Sequence, residues 1–294
     1  MARDGRLRWA VDISRWSPEP NELEHLLGLL PGAEQEACRK FRFLDDQKRA
    51  LVSRLLQRAS AAAVLGLPFC EVVIQRTRGS KPYIAGAGDR SAAPNFNYSV
   101  SHEGDFVVLA SEGLCVCGCD VAAPNQVRRR QQEPLASFFK CFVDQFTAAE
   151  WASINALSPD EDAMQAQFRR LWSLKEAYVK ATGEGLGFDL GKAEFKLSGC
   201  TATVKVDGKA QPRWAFFVQE LGRGHYVSVA RGPLEAVVDA WGGFKGTFQQ
   251  NPVPEQQLLG ALAAPEPPFT LLTVGDLLPV ELRPAYAAAG GDVW

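Results

Sequence analysis

Phe168-Arg-Arg-Leu-Trp-Ser-Leu-Lys-Glu-Ala-Tyr-Val-Lys-Ala-Thr-Gly183 reads as a helix. Leu171, Leu174 and Tyr178 recur at three- and four-residue spacings, which gives one buried stripe. Gly183 suits the C-cap, because glycine takes a left-handed conformation at no steric cost. Trp172, Glu176 and Lys180 stand at i, i+4 and i+8 and share a face. A carboxylate one turn before a lysine is a common surface pair, but Trp-x-x-Lys-Glu-Ala-Tyr-x-Lys is more particular. Glu176 is a candidate to hold a metal ion and Lys180 a phosphate, if the rest of the chain supplies the other half of that site.

Working outward, helical signals cover 134–142, 147–157 and 161–182, and Thr147-Ala-Ala-Glu150 has the spacing of a capping box. Strands are expected over 192–198, 201–206, 214–219 and 226–230. Upstream come a strand at 7–13, a short helix at 23–30 and a long helical signal over 33–66 that Gly66-Leu-Pro68 stops. A strand at 70–76 leads into the basic turn Thr77-Arg-Gly-Ser-Lys-Pro-Tyr83. Short strands at 97–100 and 105–110 precede one over 114–121 that ends in Asp120. Gly104-Asp-Phe-Val-Val-Leu-Ala110 returns 120 residues later as Gly224-His-Tyr-Val-Ser-Val-Ala230. The expected fold is α+β, with two similar halves (1–112 and 113–232) packed side by side as an intramolecular pseudo-dimer. An irregular, partly flexible extension over 233–294 follows, rich in Pro, Gln and Ala at 245–268. Sites often form in the crevice between such halves.

The 294 residues, 46% hydrophobic and 22% charged, suffice for two small cores. A net charge of −2 excludes a global pull toward nucleic acid or anionic membrane. No apolar run approaches the roughly 20 residues that span a bilayer, and the N-terminus shows no signal peptide, so a cytoplasmic location is expected. Seven cysteines, an odd number, argue for free thiols. Cys115-x-Cys-x-Cys119 puts three of them on one strand face. That suits small hydrophobes in a core better than zinc ligands, whose spacing usually begins with about two to four intervening residues.

Phe96-Asn-Tyr-Ser-Val-Ser-His102-Glu-Gly holds one of three histidines in the chain. Set after a strand and before a Gly turn, His102 is either a satisfied structural residue or a group aimed into a crevice. Asp120 is either a turn cap or a ligand. With Glu176 it would suit a hard cation such as Mg²⁺, which takes carboxylate oxygens and keeps waters or phosphates in its shell. Arg76, Lys81, His102 and Lys180 could then neutralise phosphate oxygens. No Gly-x-Ser-x-Gly, phosphate-binding P-loop or dinucleotide fingerprint is present.

Four blocks in this order, Gln75-Arg-Thr-Arg-Gly-Ser-Lys-Pro, Phe96-Asn-Tyr-Ser-Val-Ser-His-Glu-Gly, Gly118-Cys-Asp-Val and Trp172-Ser-Leu-Lys-Glu-Ala-Tyr-Val-Lys-Ala-Thr-Gly, resemble the phosphopantetheinyl transferases. The likeness is to the large pseudo-dimeric type named after the surfactin-synthetase activator, and within it to the eukaryotic branch named for aminoadipate-semialdehyde dehydrogenase. It spans about residues 7–231. It implies transfer of 4′-phosphopantetheine from coenzyme A to a serine of an apo acyl carrier protein or carrier domain, with release of adenosine 3′,5′-bisphosphate, by a monomer. It assigns Asp120 and Glu176 to Mg²⁺. It assigns Arg76, Lys81, Ser101, His102 and Lys180 to coenzyme A, with Thr77, Arg78, Gly79, Ser80, Ser99 and Val100 around them. His102 and Lys81 would face the 3′-phosphate, Lys180 the pyrophosphate, and Glu176 would be the base. Two departures stand out. Asp120-Val-Ala122 lacks the second carboxylate of the family's Asp-x-Glu, leaving water, phosphate, Glu103 or backbone to fill the shell. A basic position near the long helix falls on Ala37, with Arg39 or Lys40 as substitutes. Arg128-Arg-Arg130 is either a solvated loop or a guide for acidic carriers. Two other readings of the same residues are a metal-dependent phosphodiesterase and a non-catalytic carrier-binding module.

Overall fold

The first half comprises β1 (Arg8–Asp12), α1 (Pro20–Gly28), α2 (Gly32–Arg39), α3 (Leu44–Leu65), β2 (Val73–Arg76), β3 (Pro82–Ala85), β4 (Asn97–Glu103) and β5 (Phe106–Glu112). The second comprises β6 (Val116–Ala122), α4 (Leu135–Lys140), α5 (Ala148–Asn155), α6 (Glu161–Thr182), β7 (Ala193–Ser198), β8 (Thr201–Val206), β9 (Lys209–Ala210), β10 (Ala215–Gly222) and β11 (His225–Gly232). An extension adds α7 (Glu255–Ala263), β12 (Thr270–Leu272) and α8 (Arg283–Ala288). This computed structural model describes residues 4–86, 88–124 and 134–292; the Arg128–Arg130 cluster lies outside the described residues.

The repeat seen in the sequence is a structural repeat. β5 pairs antiparallel with β1, Ala110 opposite Arg8, and β11 pairs in the same sense with β6, Ala230 opposite Gly118. The β4–β5 and β10–β11 hairpins each turn on a left-handed glycine, Gly104 (φ 55°) and Gly224 (φ 71°). Each half is built on a 22-residue helix, α3 and α6, that ends at a left-handed glycine, Gly66 and Gly183. The first half forms the sheet β12-β1-β5-β4, the second β6-β11-β10-β8-β7 with β9 on β8, and β2–β3 is a separate hairpin. The first core gathers Leu51 and Leu55 of α3 with Tyr98 and Leu109. The second gathers Phe168, Leu171 and Leu174 of α6 with Phe195 and Phe216. The capping box forms as expected, Thr147 Oγ accepting from the Glu150 amide and Glu150 accepting from the Thr147 amide.

The seam between the halves explains the alternation in Asn97-Tyr-Ser-Val-Ser-His-Glu103. β4 and β6 are neighbouring sheet edges, and exposed edge amides and carbonyls must be satisfied somewhere. Every second side chain of β4 does this. Asn97 donates to the Cys115 carbonyl and accepts from the Cys117 amide, and Ser99 donates to the Cys119 carbonyl. Ser101 accepts from the Val121 amide and Glu103 from the Ala123 amide. Behind this zipper Cys117 and Cys119 pack with Phe106, Val108, Val227 and Val229. Burial raises both thiol pKa values, so they stay neutral there.

Two expectations are corrected. The helical signal over 33–66 is two helices, because Phe43 is extended (φ −97°, ψ 138°) and breaks the run. Asp45 and Asp46 then fall in the first turn of α3, where the helix dipole favours carboxylates. The extension is irregular in its connections but woven into both halves. β12 pairs parallel with β1, Val274, Leu277 and Tyr286 enter the first core, and Phe244 enters the second. No local periodicity marks these docked residues, which is why composition alone suggests a linker.

Candidate active site

α6 can approach β6 because Gly118 has no side chain: a Cβ there would run into the Ala177 carbonyl and the Ala181 backbone. Two residues further along the same strand face stands Asp120. Its Oδ1 accepts from the Ser101 hydroxyl at 2.7 Å and from the Lys180 ammonium at 2.6 Å, and Lys180 also donates to Ser101 Oγ at 2.8 Å. The three residues come from β6, β4 and α6, so this triangle exists only where the two halves meet. Lys180 thus pairs with Asp120, not with its helical neighbour Glu176.

Electrostatics divides the roles. Burial works against the Lys180 charge, but the Asp120 carboxylate outweighs it and the pKa is raised, so Lys180 is cationic at neutral pH. Half-buried Glu176 has a raised pKa, first from burial and next from the like charge on Asp120, with Lys180 opposing. A carboxyl tuned upward beside a fixed cation is suited to taking a proton.

His102 lies within β4, not in the turn after it, because the strand runs on to Glu103. Its ring is at the surface, and desolvation by its surroundings, then the Lys180 and Arg49 charges, lower its pKa. Arg49 is a neighbour that spacing did not reveal; it donates to the Gly104 carbonyl at 2.7 Å. Arg39, the suggested substitute for a cation at Ala37, is bound to Glu24 at 2.6 Å.

The basic turn between β2 and β3 is divided in its orientation. Arg76, Arg78 and Ser80 are exposed, and Arg76 donates to the Ser80 carbonyl. Thr77 is buried and accepts the Lys81 amide, closing the turn. Ser80 sits at φ 68°, and Gly79 presses so closely on Gly183 that a Cβ would overlap its carbonyl. Lys81, expected at the phosphates, is buried. It donates to the Cys117 carbonyl at 2.7 Å and the Lys180 carbonyl at 2.9 Å. Ser99 is turned into the seam, and Val100 packs on the first core.

Sequence reading also missed the partner of Lys175. Its ammonium meets Glu150 at 2.9 Å with both side chains fully buried. Glu150 additionally accepts the Phe195 amide. A lysine one position before Glu176 on α6 must face away from the site, and that offset was the available signal.

The donor set at Asp120 and Glu176 fits a divalent hard cation: two carboxylates on packed elements, one raising the other's pKa, a repulsion such an ion would relieve. Among the described residues no group of three or more His, Cys, Asp or Glu is arranged to hold a metal. Glu103 is engaged with the Ala123 amide. Water and substrate phosphate would therefore complete the shell.

Residues 14–114 match the family model for the 4′-phosphopantetheinyl transferase N-terminal domain, and residues 116–230 that for the 4′-phosphopantetheinyl transferase superfamily. The L-aminoadipate-semialdehyde dehydrogenase-phosphopantetheinyl transferase of Rattus norvegicus is 33% identical over 233 residues, 76% of this chain and 74% of that protein. Its namesake in Xenopus laevis is 32% identical over 282 residues, 93% of this chain and 86% of that protein. A phosphopantetheinyl transferase of Thraustochytrium is 36% identical over 229 residues, 76% of this chain and 77% of that protein. With both halves matched and the four sequence blocks gathered on one seam, the chain belongs to the 4′-phosphopantetheinyl transferases, enzymes that transfer phosphopantetheine to carrier proteins.

Proposed function

We propose that this enzyme acts on coenzyme A at the seam between its halves, as a Mg²⁺-dependent monomer. The carrier serine oxygen bonds to the phosphorus that bears pantetheine, and the bridging P–O bond breaks to release adenosine 3′,5′-bisphosphate. The observation that carries the reading is the Asp120–Ser101–Lys180 triangle with Glu176 beside it.

Lys180, kept cationic by Asp120, donates to the pyrophosphate and stabilises the charge that develops on the leaving side. Ser101 orients both Asp120 and Lys180. Glu176, with its raised pKa, receives the proton of the serine hydroxyl. Asp120 and Glu176 would hold Mg²⁺, which supplies charge neutralisation at the pyrophosphate. The exposed Arg76 and Arg78 guanidinium groups and the His102 ring offer contacts for the 3′-phosphate. Both walls of the crevice come from one chain, which supports action as a monomer. Intact-mass measurement of several apo carriers after incubation with enzyme, coenzyme A and Mg²⁺ tests this. A phosphopantetheine mass gain that chelation abolishes is expected. Release of bisphosphate without a carrier would indicate a hydrolase instead.

A further inference from the structure

The site described above leaves one buried cation without a chemical task. Lys81 lies on the β2–β3 turn and is 5% exposed. Burial pushes its pKa down to about 8. Its ammonium is directed inward, at two backbone carbonyls that have something in common.

The Lys180 carbonyl belongs to the last turn of α6. The last four carbonyls of a helix lack intrahelical partners, and a cation there is favoured by the dipole. Two of the other orphans are filled nearby: the Thr182 carbonyl accepts the Val238 amide at 2.8 Å, and the Val179 carbonyl accepts the Gly183 amide. The Cys117 carbonyl belongs to the outer edge of β6. In the β4 zipper, Asn97 takes the carbonyl of Cys115 and Ser99 that of Cys119; Cys117 lies between them, and Lys81 fills the gap. The ammonium also stands 5.6 Å from the centre of the Phe244 ring, within cation–π reach. One side chain of the first half thus ties the strand that carries Asp120 to the helix turn that carries Lys180.

We propose that Lys81 is a positioning residue: its ammonium clamps β6 to the end of α6, setting Asp120 against Lys180 and Glu176, and does not itself meet coenzyme A. The inference rests on the functional reading above and deepens it. A clamp sets the geometry of the reacting groups, so it acts on turnover. A ligand contact acts on affinity.

The test compares Lys81→Met and Lys81→Arg with Arg76→Ala in the full-length enzyme. It measures kcat and KM for coenzyme A with one apo carrier, coenzyme A affinity by calorimetry without carrier, and melting temperature. Lys81→Met should lower kcat about tenfold or more while KM and Kd for coenzyme A stay within about threefold. Lys81→Arg, which can still donate to both carbonyls, should recover part of kcat. Arg76→Ala should show the reverse, weakened affinity with kcat largely kept. If Lys81→Met weakens coenzyme A binding about tenfold and spares kcat, Lys81 is a ligand contact and the proposal fails. Should Lys81→Met not fold, Phe244→Leu removes the ring beside the ammonium and spares both carbonyls. It should lower kcat at unchanged affinity, and a change in affinity alone overturns the proposal. Failure of the unsubstituted enzyme to load any apo carrier would sink the functional reading instead, whatever the variants do.

Discussion

Gly118→Ala adds one methyl group at the point where α6 rests on β6. The added Cβ would stand 2.5 Å from the Ala181 amide nitrogen and 2.8 Å from its Cβ, and it would overlap the Ala177 carbonyl still more. Ordinary contact begins near 3.4 Å, so the helix must withdraw by about 1 Å, and such overpacking typically costs about 1–3 kcal/mol. For a chain of this size that lowers the melting temperature by a few degrees and leaves a folded protein. The catalytic consequence is larger. Asp120 is two residues from Gly118 on the same strand face, and Lys180 adjoins Ala181. The retreat therefore opens the 2.6 Å Asp120–Lys180 contact directly. Misplacement by about 1 Å can cost on the order of 100-fold in rate. Transfer of phosphopantetheine to an apo carrier, followed by intact mass, should slow by about that factor with the far-UV spectrum unchanged. A Gly118→Ala enzyme that transfers at the unsubstituted rate would refute the claim that this approach builds the site.

Other outcomes follow from the same geometry. Glu150→Gln breaks the fully buried pair with Lys175 and leaves one oxygen where Thr147 and Phe195 each had an acceptor, so the new NH2 faces one of those two amides. It should destabilise by roughly 3–5 kcal/mol, read as a loss of roughly 10 °C in a thermal melt. If Glu176 is the base, replacing it with Gln, which cannot accept the serine proton, should lower kcat by about 100-fold or more, and a Glu176→Gln enzyme that transfers at the unsubstituted rate would remove Glu176 from the role. His225 is buried, accepts the Asp105 amide on Nε2 and faces the Gly222 carbonyl with Nδ1. Burial lowers its pKa, so the native state binds fewer protons than the unfolded one. That contribution is complete above about pH 6.5 and lost as pH falls through the lower folded value. Melting temperature should therefore drop on acidification more steeply in the native protein than in His225→Gln, and equal slopes would contradict this.

What could be read from sequence was local or periodic. The stripe and C-cap of α6, the capping box at Thr147, the strand ending in Asp120 and the repeated hairpin each carry their signal within a few residues. Asp120 was expected with Glu176, and Lys180 at the pyrophosphate; the direct Asp120–Lys180 pair was not foreseen, because it needs both halves to be folded against each other. Lys81 shows where this stops. A lysine in a basic turn looks solvent-facing, and its inward course depends on orphan carbonyls 36 and 99 residues away. The β4 zipper was visible as alternation in Asn97-x-Ser-x-Ser-x-Glu103, yet reading it required knowing that β6 presents an unpaired edge. The break at Phe43 was hidden by apolar residues that fit a helix but stand exposed in the connection. Docking of the extension is longer in range still, with Thr270 beside Trp9 and the Tyr286 hydroxyl donating to Glu22 at 2.7 Å.

The central claim is that the seam between the halves transfers phosphopantetheine by a metal-assisted displacement. The most direct measurement is the intact mass of apo carrier, with bisphosphate quantified in parallel, in reactions with and without carrier and with and without chelator. A carrier that gains phosphopantetheine one-for-one with bisphosphate, only when carrier and free Mg²⁺ are both present, is the predicted result. Carriers of unchanged mass, or bisphosphate released when no carrier is present, would contradict it.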